Sequence, residues 1–159
     1  MSFRIGSGVD FHQLKKGKDL WLGGVKIPHH KGAVGHSDAD VLLHAICDAL
    51  LGALALGDIG IHFPNNDDQY KNIASSTLLE RTMDLIRKEK YSIVNIDSTV
   101  CLEEPKINTH TGKMRQVIAA ITGITINDIS IKATTTEKMG FVGKGKGIIA
   151  YATVLLKKD

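Results

Sequence analysis

An aspartate and a histidine two residues apart, Asp10-Phe11-His12, begin the chemistry of this chain. On an extended strand residues i and i+2 point to the same side, so the carboxylate and the imidazole converge. A second imidazole, His44, stands in an Ala/Leu-rich helical run, and two histidines plus one carboxylate with an open fourth position are a common way to hold catalytic zinc. Asp40 and Asp48 flank His44 at i−4 and i+4 on one helix face, where either can accept from the imidazole and orient it. Taken alone, the Asp-x-His pair also reads as a strand-end cap beside a surface imidazole, and His44 as a hydrogen-bonded core residue.

Two further clusters suit phosphate. His36-Ser37-Asp38-Ala39-Asp40 lies at the mouth of the same helix, where unpaired N–H groups and a positive dipole end attract an anion; capping by Ser37 or Asp38 accounts for the same residues. Thr134-Thr135-Thr136-Glu137-Lys138 follows a strand pattern and leads into a glycine-punctuated basic loop from Met139 to Gly147. Hydroxyls, free amides and lysines together suit a diphosphate, and Glu137 offers the hard oxygen that magnesium takes alongside substrate phosphates. The loop is not a Walker motif, and as a hairpin with glycines at positive φ it needs no ligand.

The elements that must position these groups interleave strands and helices. Phe3 to Val9 reads as a strand with Asp10-Phe11-His12 at its end, and Trp21 to Ile27 as a short hairpin turning at Gly23-Gly24. Pro28 to Gly35 reads as loop. A helix capped by Ser37 or Asp38 carries Val41, Leu42, Ala45, Ala49 and Leu50 at helical spacing and closes at Gly57-Asp58. Ile59 to Asp68 is expected to be an irregular loop, and Ser75 to Lys90 and Thr111 to Thr122 are expected to be helices. Ser92 to Leu102, Ile129 to Thr134 and Gly147 to Leu156 complete the strands. The fold class is α+β, a two-layer sandwich with a mixed sheet and helices on one face. The other face is left bare, and apolar residues at both parities of Gly147 to Leu156 point to self-association through the sheet.

Bulk properties narrow the function classes. A chain of 159 residues with 43% hydrophobic content builds one domain, residues 1–159, without a linker. The net charge of +3 comes from scattered lysines, so no stripe for nucleic acid is formed, while a mild excess suits a small anionic ligand. Cys47 and Cys101 belong to no CxxC pair and read as reduced, buried thiols, which places the protein in the cytoplasm. The opening Met1-Ser2-Phe3-Arg4-Ile5 runs straight into a strand, and no run reaches the roughly 18 apolar residues of a membrane span, so neither a targeting segment nor a membrane partner is expected.

Four blocks in order carry a resemblance: Gly8-Val9-Asp10-Phe11-His12; His36-Ser37-Asp38-Ala39-Asp40 with His44; Gly57-Asp58-Ile59-Gly60 with Phe63-Pro64; and Thr134-Thr135-Thr136-Glu137-Lys138 with Gly140-Phe141. From about Arg4 to Leu156 the chain resembles the cyclodiphosphate synthases of the methylerythritol phosphate route to isoprenoids. The resemblance implies a homotrimer with sheets around a three-fold axis and active sites at subunit boundaries. It implies zinc on Asp10, His12 and His44, and magnesium or manganese on Glu137 with the substrate diphosphate. His36 and Thr135 match the transition-state stabilisers. Asp58, Ile59, Gly60, Phe63, Pro64, Asn65, Asn66 and Asp67 match the part that closes on methylerythritol, and Ser37, beside His36, is a further substrate-binding residue. Leu102, Glu103, Glu104, Pro105, Lys106, Ile107 and Asn108 match the cytidine segment from a neighbouring subunit, beside Thr134, Thr136, Glu137, Phe141 and Lys144.

The implied reaction converts 4-diphosphocytidyl-2-C-methylerythritol 2-phosphate into the cyclic diphosphate and CMP, by metal-assisted attack of the 2-phosphate. The chain departs from the family pattern at Asn65 for aspartate, Lys144 for arginine and Tyr151 for glutamate. A zinc-dependent phosphohydrolase and a non-catalytic trimeric binder of nucleotides or isoprenoid diphosphates remain as other uses of the same residues.

Overall fold

Gly6 and Gly8 set the architecture. In the computed structural model, which describes residues 2–159, β1 (Phe3–Lys16) carries both glycines on its buried side. A Cβ at Gly6 would stand 1.9 Å from the Ala49 carbonyl oxygen, and one at Gly8 2.1 Å from that of Ala45. Both carbonyls belong to α1 (Val41–Ala53), so the missing side chains let this helix rest directly on the strand backbone. The seating fixes where His44 meets β1.

The remaining elements are β2 (Leu20–Leu22), β3 (Val25–Ile27), β4 (Lys31–Val34), α2 (Ile59–His62), α3 (Ser75–Lys88), β5 (Tyr91–Cys101), α4 (Thr111–Thr122), β6 (Ile129–Thr134), α5 (Gly140–Gly143) and β7 (Gly147–Lys158). The main sheet has the order β4-β1-β7-β5-β6, with β5 and β6 parallel and the other neighbours antiparallel. Helices α1, α3 and α4 cover one face. On that face Ile148, Ala150, Ala152, Val154 and Leu156 of β7 join Leu42, Ile46 and Leu50 of α1 in one continuous core. The opposite face leaves Ile5, Val9, Phe11 and Tyr151 exposed by 72%, 43%, 53% and 48%. The mixed α+β sheet with helices on one side is as the sequence implies.

Several local expectations are corrected. Strand β1 continues past Val9 to Lys16 because β7 pairs with it as far as Gln13 and β4 takes over from there. Asp10 and His12 therefore sit within a strand, not at its end. The segment read as loop contains the edge strand β4, too short to show a period. Helix α1 is capped by Asp40, whose carboxylate accepts from Leu43 N–H at 3.0 Å, and not by Ser37 or Asp38. It ends at Ala53, before the Gly57-Asp58 pair. The loop from Ile59 holds a helical turn, α2, and the basic glycine loop folds into the turn α5 instead of a plain hairpin. The Gly23-Gly24 hairpin is present, with φ of 58° and 75° at the two glycines, the left-handed pair a tight hairpin turn needs. No helix among the described residues is long and apolar enough to cross a membrane.

Candidate metal centre and flanking pockets

Three ligand-type atoms converge where α1 lies on β1. Asp10 Oδ2 is 2.9 Å from His12 Nε2 and 3.1 Å from His44 Nδ1, and the two imidazole nitrogens are 3.3 Å apart. Among the described residues these three form the one His/Cys/Asp/Glu cluster with metal-binding spacing. His12 Nδ1 lies 3.0 Å from the Val34 carbonyl, which only accepts, so this nitrogen carries the proton and Nε2 keeps its lone pair for the cluster. Strand β4 thus orients the His12 ring toward the cluster.

The electrostatics suit a cation. Burial alone would raise the Asp10 carboxyl, but the hydrogen bonds and charge of His12 and His44 outweigh it and hold the group well below the usual carboxylate range. Burial alone would lower His44, yet the Asp10 hydrogen bond and the charges of Asp10, Asp40 and Asp38 raise it. The net result is an ionised carboxylate facing an imidazole with high proton affinity, a site that asks for positive charge.

Neither Asp40 nor Asp48 orients His44. The fully buried Asp40 accepts from the backbone N–H groups of Gly23, Gly24 and Leu43 at 3.0, 2.7 and 3.0 Å. Burial pushes its carboxyl up while those three bonds pull it back. Its carboxylate occupies the amino end of α1, so the anion expected there is a side chain of the protein itself. Asp48 accepts from Ile59 N–H at 2.8 Å and pins α2 to α1. The partner of the His44 Nε2 atom is instead Ser75, at 2.8 Å, with Ser37 at 3.2 Å. Ser75 opens α3, thirty-one residues further on, and no local signal in the chain marks it.

A cavity of about 200 Å³ opens over the cluster, lined by Asp10, His12, His36, Ser37 and His44 together with Ile59, Gly60, Phe63 and Asn65. Gly35, Tyr70, Ile73 and Leu78, which sequence reasoning did not select, complete it. Asp58, Pro64, Asn66 and Asp67 stand outside the lining. Asp58 caps α2 through Ile61 N–H at 3.1 Å, and Asp67 accepts from Gln69 N–H at 3.0 Å, so both shape the loop.

The remaining candidates form a separate place on this chain. Leu102, Glu103, Pro105, Lys106, Ile107, Asn108, Thr134 and Thr135 line a second cavity of about 220 Å³. Strand register puts Asp10 level with Ala150, Val100 and Ala133, so the β1 and β6 positions that line the two cavities are three strand spacings apart, about 14 Å. Thr136 donates to the Met139 carbonyl at 2.7 Å, and Glu137 N–H donates to Thr135 Oγ1 at 3.3 Å, which folds the turn and leaves the Glu137 carboxylate exposed. Lys144 and Glu104 line a third cavity with Lys138, and Phe141 packs near Phe11 with ring centroids 6.5 Å apart.

Comparison with known proteins follows the same lines. The model of the YgbB family matches residues 3–157. The 2-C-methyl-D-erythritol 2,4-cyclodiphosphate synthase of Bacteroides thetaiotaomicron is 56% identical over 159 residues, covering 100% of each chain, and that of Porphyromonas gingivalis is 57% identical over 154 residues, 97% of this chain and 95% of the relative. Among solved structures, the IspF of Plasmodium falciparum in complex with CDP matches with a TM-score of 0.87 at 38% identity, over 99% of this chain and 98% of the other. The bifunctional IspDF of Campylobacter jejuni matches with a TM-score of 0.95 at 38% identity over 99% of this chain, which spans 43% of that longer protein.

Proposed function

The chain belongs to the YgbB family of 2-C-methyl-D-erythritol 2,4-cyclodiphosphate synthases, enzymes of the lyase type, and from that premise we propose the reaction it performs. As one catalytic domain it takes 4-diphosphocytidyl-2-C-methyl-D-erythritol 2-phosphate and returns the 2,4-cyclodiphosphate and CMP. The single observation that carries this reading is the Asp10, His12 and His44 cluster at the floor of a cavity.

Zinc fits the donor set. Bonds of ~2.0–2.1 Å at tetrahedral angles separate ligand atoms by about 3.3 Å, and the three observed separations are 2.9, 3.1 and 3.3 Å. Asp10, His12 and His44 would hold the ion through one carboxylate and two imidazoles, beside the cavity they line. The exposed Glu137 suits magnesium or manganese, which use a single carboxylate together with substrate phosphate oxygens. When bound, these cations supply Lewis-acid withdrawal of charge from the attacked diphosphate.

The protein's own residues position. The 2-phosphate is already ionised near neutral pH, so no side chain has to remove a proton from the nucleophile. His36 and Ser37 approach the phosphate from one wall of the metal cavity, while Ile59, Gly60, Phe63 and Asn65 hold the methylerythritol part from the other. Thr135 donates to the diphosphate as charge builds on it, and Lys106 with the Leu102 to Asn108 segment holds the cytidine end. Holding the two phosphates in contact removes much of the entropic part of the barrier.

The substrate spans two chains. Cavities of about 200 and 220 Å³ are each smaller than the ~300 Å³ at which small-molecule sites usually begin. On one chain the strands that line them, β1 and β6, are about 14 Å apart across the sheet. The exposed apolar face of Ile5, Val9, Phe11 and Tyr151 supports assembly, which we assign as a cytoplasmic homotrimer closing around that face. In the trimer the metal cavity of one subunit meets the nucleotide cavity of the next, so no nucleic acid or membrane is required as partner. The CDP complex of the Plasmodium relative supports a cytidine nucleotide as ligand. Mixing an Asp10→Asn chain with a Lys106→Ala chain, each inactive alone, should restore CMP release through boundaries that contain both intact halves. Mixtures that stay inactive after demonstrated subunit exchange would contradict the shared site.

A further inference from the structure

Behind His44 runs a chain of hydrogen bonds that ends on a carboxylate outside the ligand set. His44 Nε2 lies 2.8 Å from Ser75 Oγ, Ser75 Oγ contacts Asp38 Oδ1, and Ser75 N–H donates to Asp38 Oδ2 at 2.9 Å. Ser75 and His44 are buried, and Asp38 is tethered by its own backbone N–H to the Ile73 carbonyl at 3.3 Å. Three separate segments, the loop before α1, α1 itself and the first residue of α3, therefore meet at one imidazole edge.

The direction of these bonds is fixed from the Asp38 end. A carboxylate only accepts, so the hydroxyl proton of Ser75 is given to Asp38. Ser75 Oγ then has only lone pairs left for His44 and accepts from its Nε2–H. With the proton held on Nε2, the lone pair of His44 stands on Nδ1, the atom 3.1 Å from Asp10 Oδ2. Ser37 Oγ, 3.2 Å from Nε2, accepts in addition from Ala39 N–H at 3.1 Å and is a weaker second acceptor.

We propose that Ser75 and Asp38 are positioning residues for the metal site: Asp38, through Ser75, sets the His44 tautomer that presents Nδ1 to the cation. The proposal rests on the metal reading above and extends it to two residues that touch neither the cation nor the cavity over the cluster. For His12 the Val34 carbonyl performs the same task directly. Both imidazoles are thus held from behind by an acceptor, the Val34 carbonyl for His12 and, for His44, a serine oxygen whose own proton is committed to Asp38, the arrangement that commonly orients metal-bound histidines.

The polarity of the relay makes the test sharp. Ser75→Ala removes the acceptor and should weaken zinc binding by about 10- to 100-fold, the range seen when such outer partners are lost, with Ser37 keeping the effect toward the lower end. Ser75→Thr retains the hydroxyl and should bind zinc as the parent does. Asp38→Asn can turn its amide N–H toward Ser75 Oγ, so that the serine O–H swings round to donate to His44 Nε2 and favours the tautomer with the proton on Nδ1; it should weaken zinc at least as much as Ser75→Ala. Zinc dissociation constants from chelator competition, read beside the melting temperature of each metal-free protein, separate this from a packing defect. In the zinc-loaded parent, nitrogen-resolved NMR should show a slowly exchanging His44 Nε2–H proton that is lost from Ser75→Ala. Parental zinc affinity in Ser75→Ala and Asp38→Asn, or a His44 proton on Nδ1, would overturn the relay while leaving the metal site standing. A parent that binds no zinc would instead remove the metal reading itself.

Discussion

Replacing Gly8 by alanine puts a methyl group into the seam that seats α1 on β1. Its Cβ would stand 2.1 Å from Ala45 O, 2.8 Å from Ala49 N and 3.0 Å from Ala45 C, all backbone atoms of a buried helix. Ordinary contact begins at 3.4 Å, so the helix must retreat by 3.4 − 2.1 = 1.3 Å or the strand must buckle. Overpacking of this kind costs about 3 kcal/mol, the upper end for inserted methyl groups, because no side chain can rotate away. For a chain of this size that is a fall in Tm of roughly 6–12 °C. The same retreat carries His44, one residue before Ala45, away from Asp10 and His12. Metal sites tolerate ligand displacements of only ~0.2 Å, so zinc affinity should fall by at least about tenfold. Calorimetry on the metal-free protein and chelator competition for zinc measure the two effects. Gly112→Ala is the control: a Cβ there meets nothing within 4 Å, in the first turn of α4, and should leave zinc binding unchanged and Tm equal or slightly higher. Parental Tm and zinc affinity in Gly8→Ala would refute the claim that these glycines set the ligand geometry.

Acidification should release the metal early. The proton and the cation compete for His44 Nδ1, and because Asp10 raises this imidazole above 6.5, zinc affinity should begin to fall at a pH above that value and keep falling below it; an affinity flat from about pH 8 to about pH 6 would contradict this. Cys47 should be inert in the folded protein. Burial pushes its thiol up to about 12, leaving on the order of one thiolate in ten thousand at pH 8, so alkylation should wait for denaturation, and rapid labelling of Cys47 in native protein would overturn its placement in the core.

Much of this architecture was legible because its signals are local. The Thr111–Thr122 helix and the Ile129–Thr134 strand match their expected limits because each carries its own period and clear ends. Asp10 and His12 were found as a pair because strand parity is a two-residue rule, and it held even though β1 ran on past them. Groups whose role depends on tertiary contact were the ones misread. Asp40 and Asp48 share a helix face with His44, but their carboxylates serve backbone N–H groups of the β2–β3 hairpin, of α1 itself and of α2. Ser75 offers no pattern at all, since only the packing of α3 on α1 brings it to the imidazole. Gly8 opens the Gly8-Val9-Asp10-Phe11-His12 block and Gly6 lies in the strand pattern before it, yet their reason, the approach of a helix backbone, is visible only once α1 is in place. The separation of the cavity beside Lys106 from the cavity over Asp10, His12 and His44 follows from strand order, which no single segment encodes.

Phosphorus NMR of the product, recorded alongside CMP release by the zinc- and magnesium-loaded protein, bears most directly on whether this cluster closes a ring. The substrate's three phosphorus signals should give way to one CMP signal and a coupled pair from a cyclic diphosphate, at a rate that tracks zinc content and is abolished in His44→Ala. Open-chain phosphates in place of the coupled pair would make the protein a zinc-dependent hydrolase, and unchanged substrate signals in the fully metal-loaded protein would make it a binder without turnover; either result would contradict ring closure at Asp10, His12 and His44.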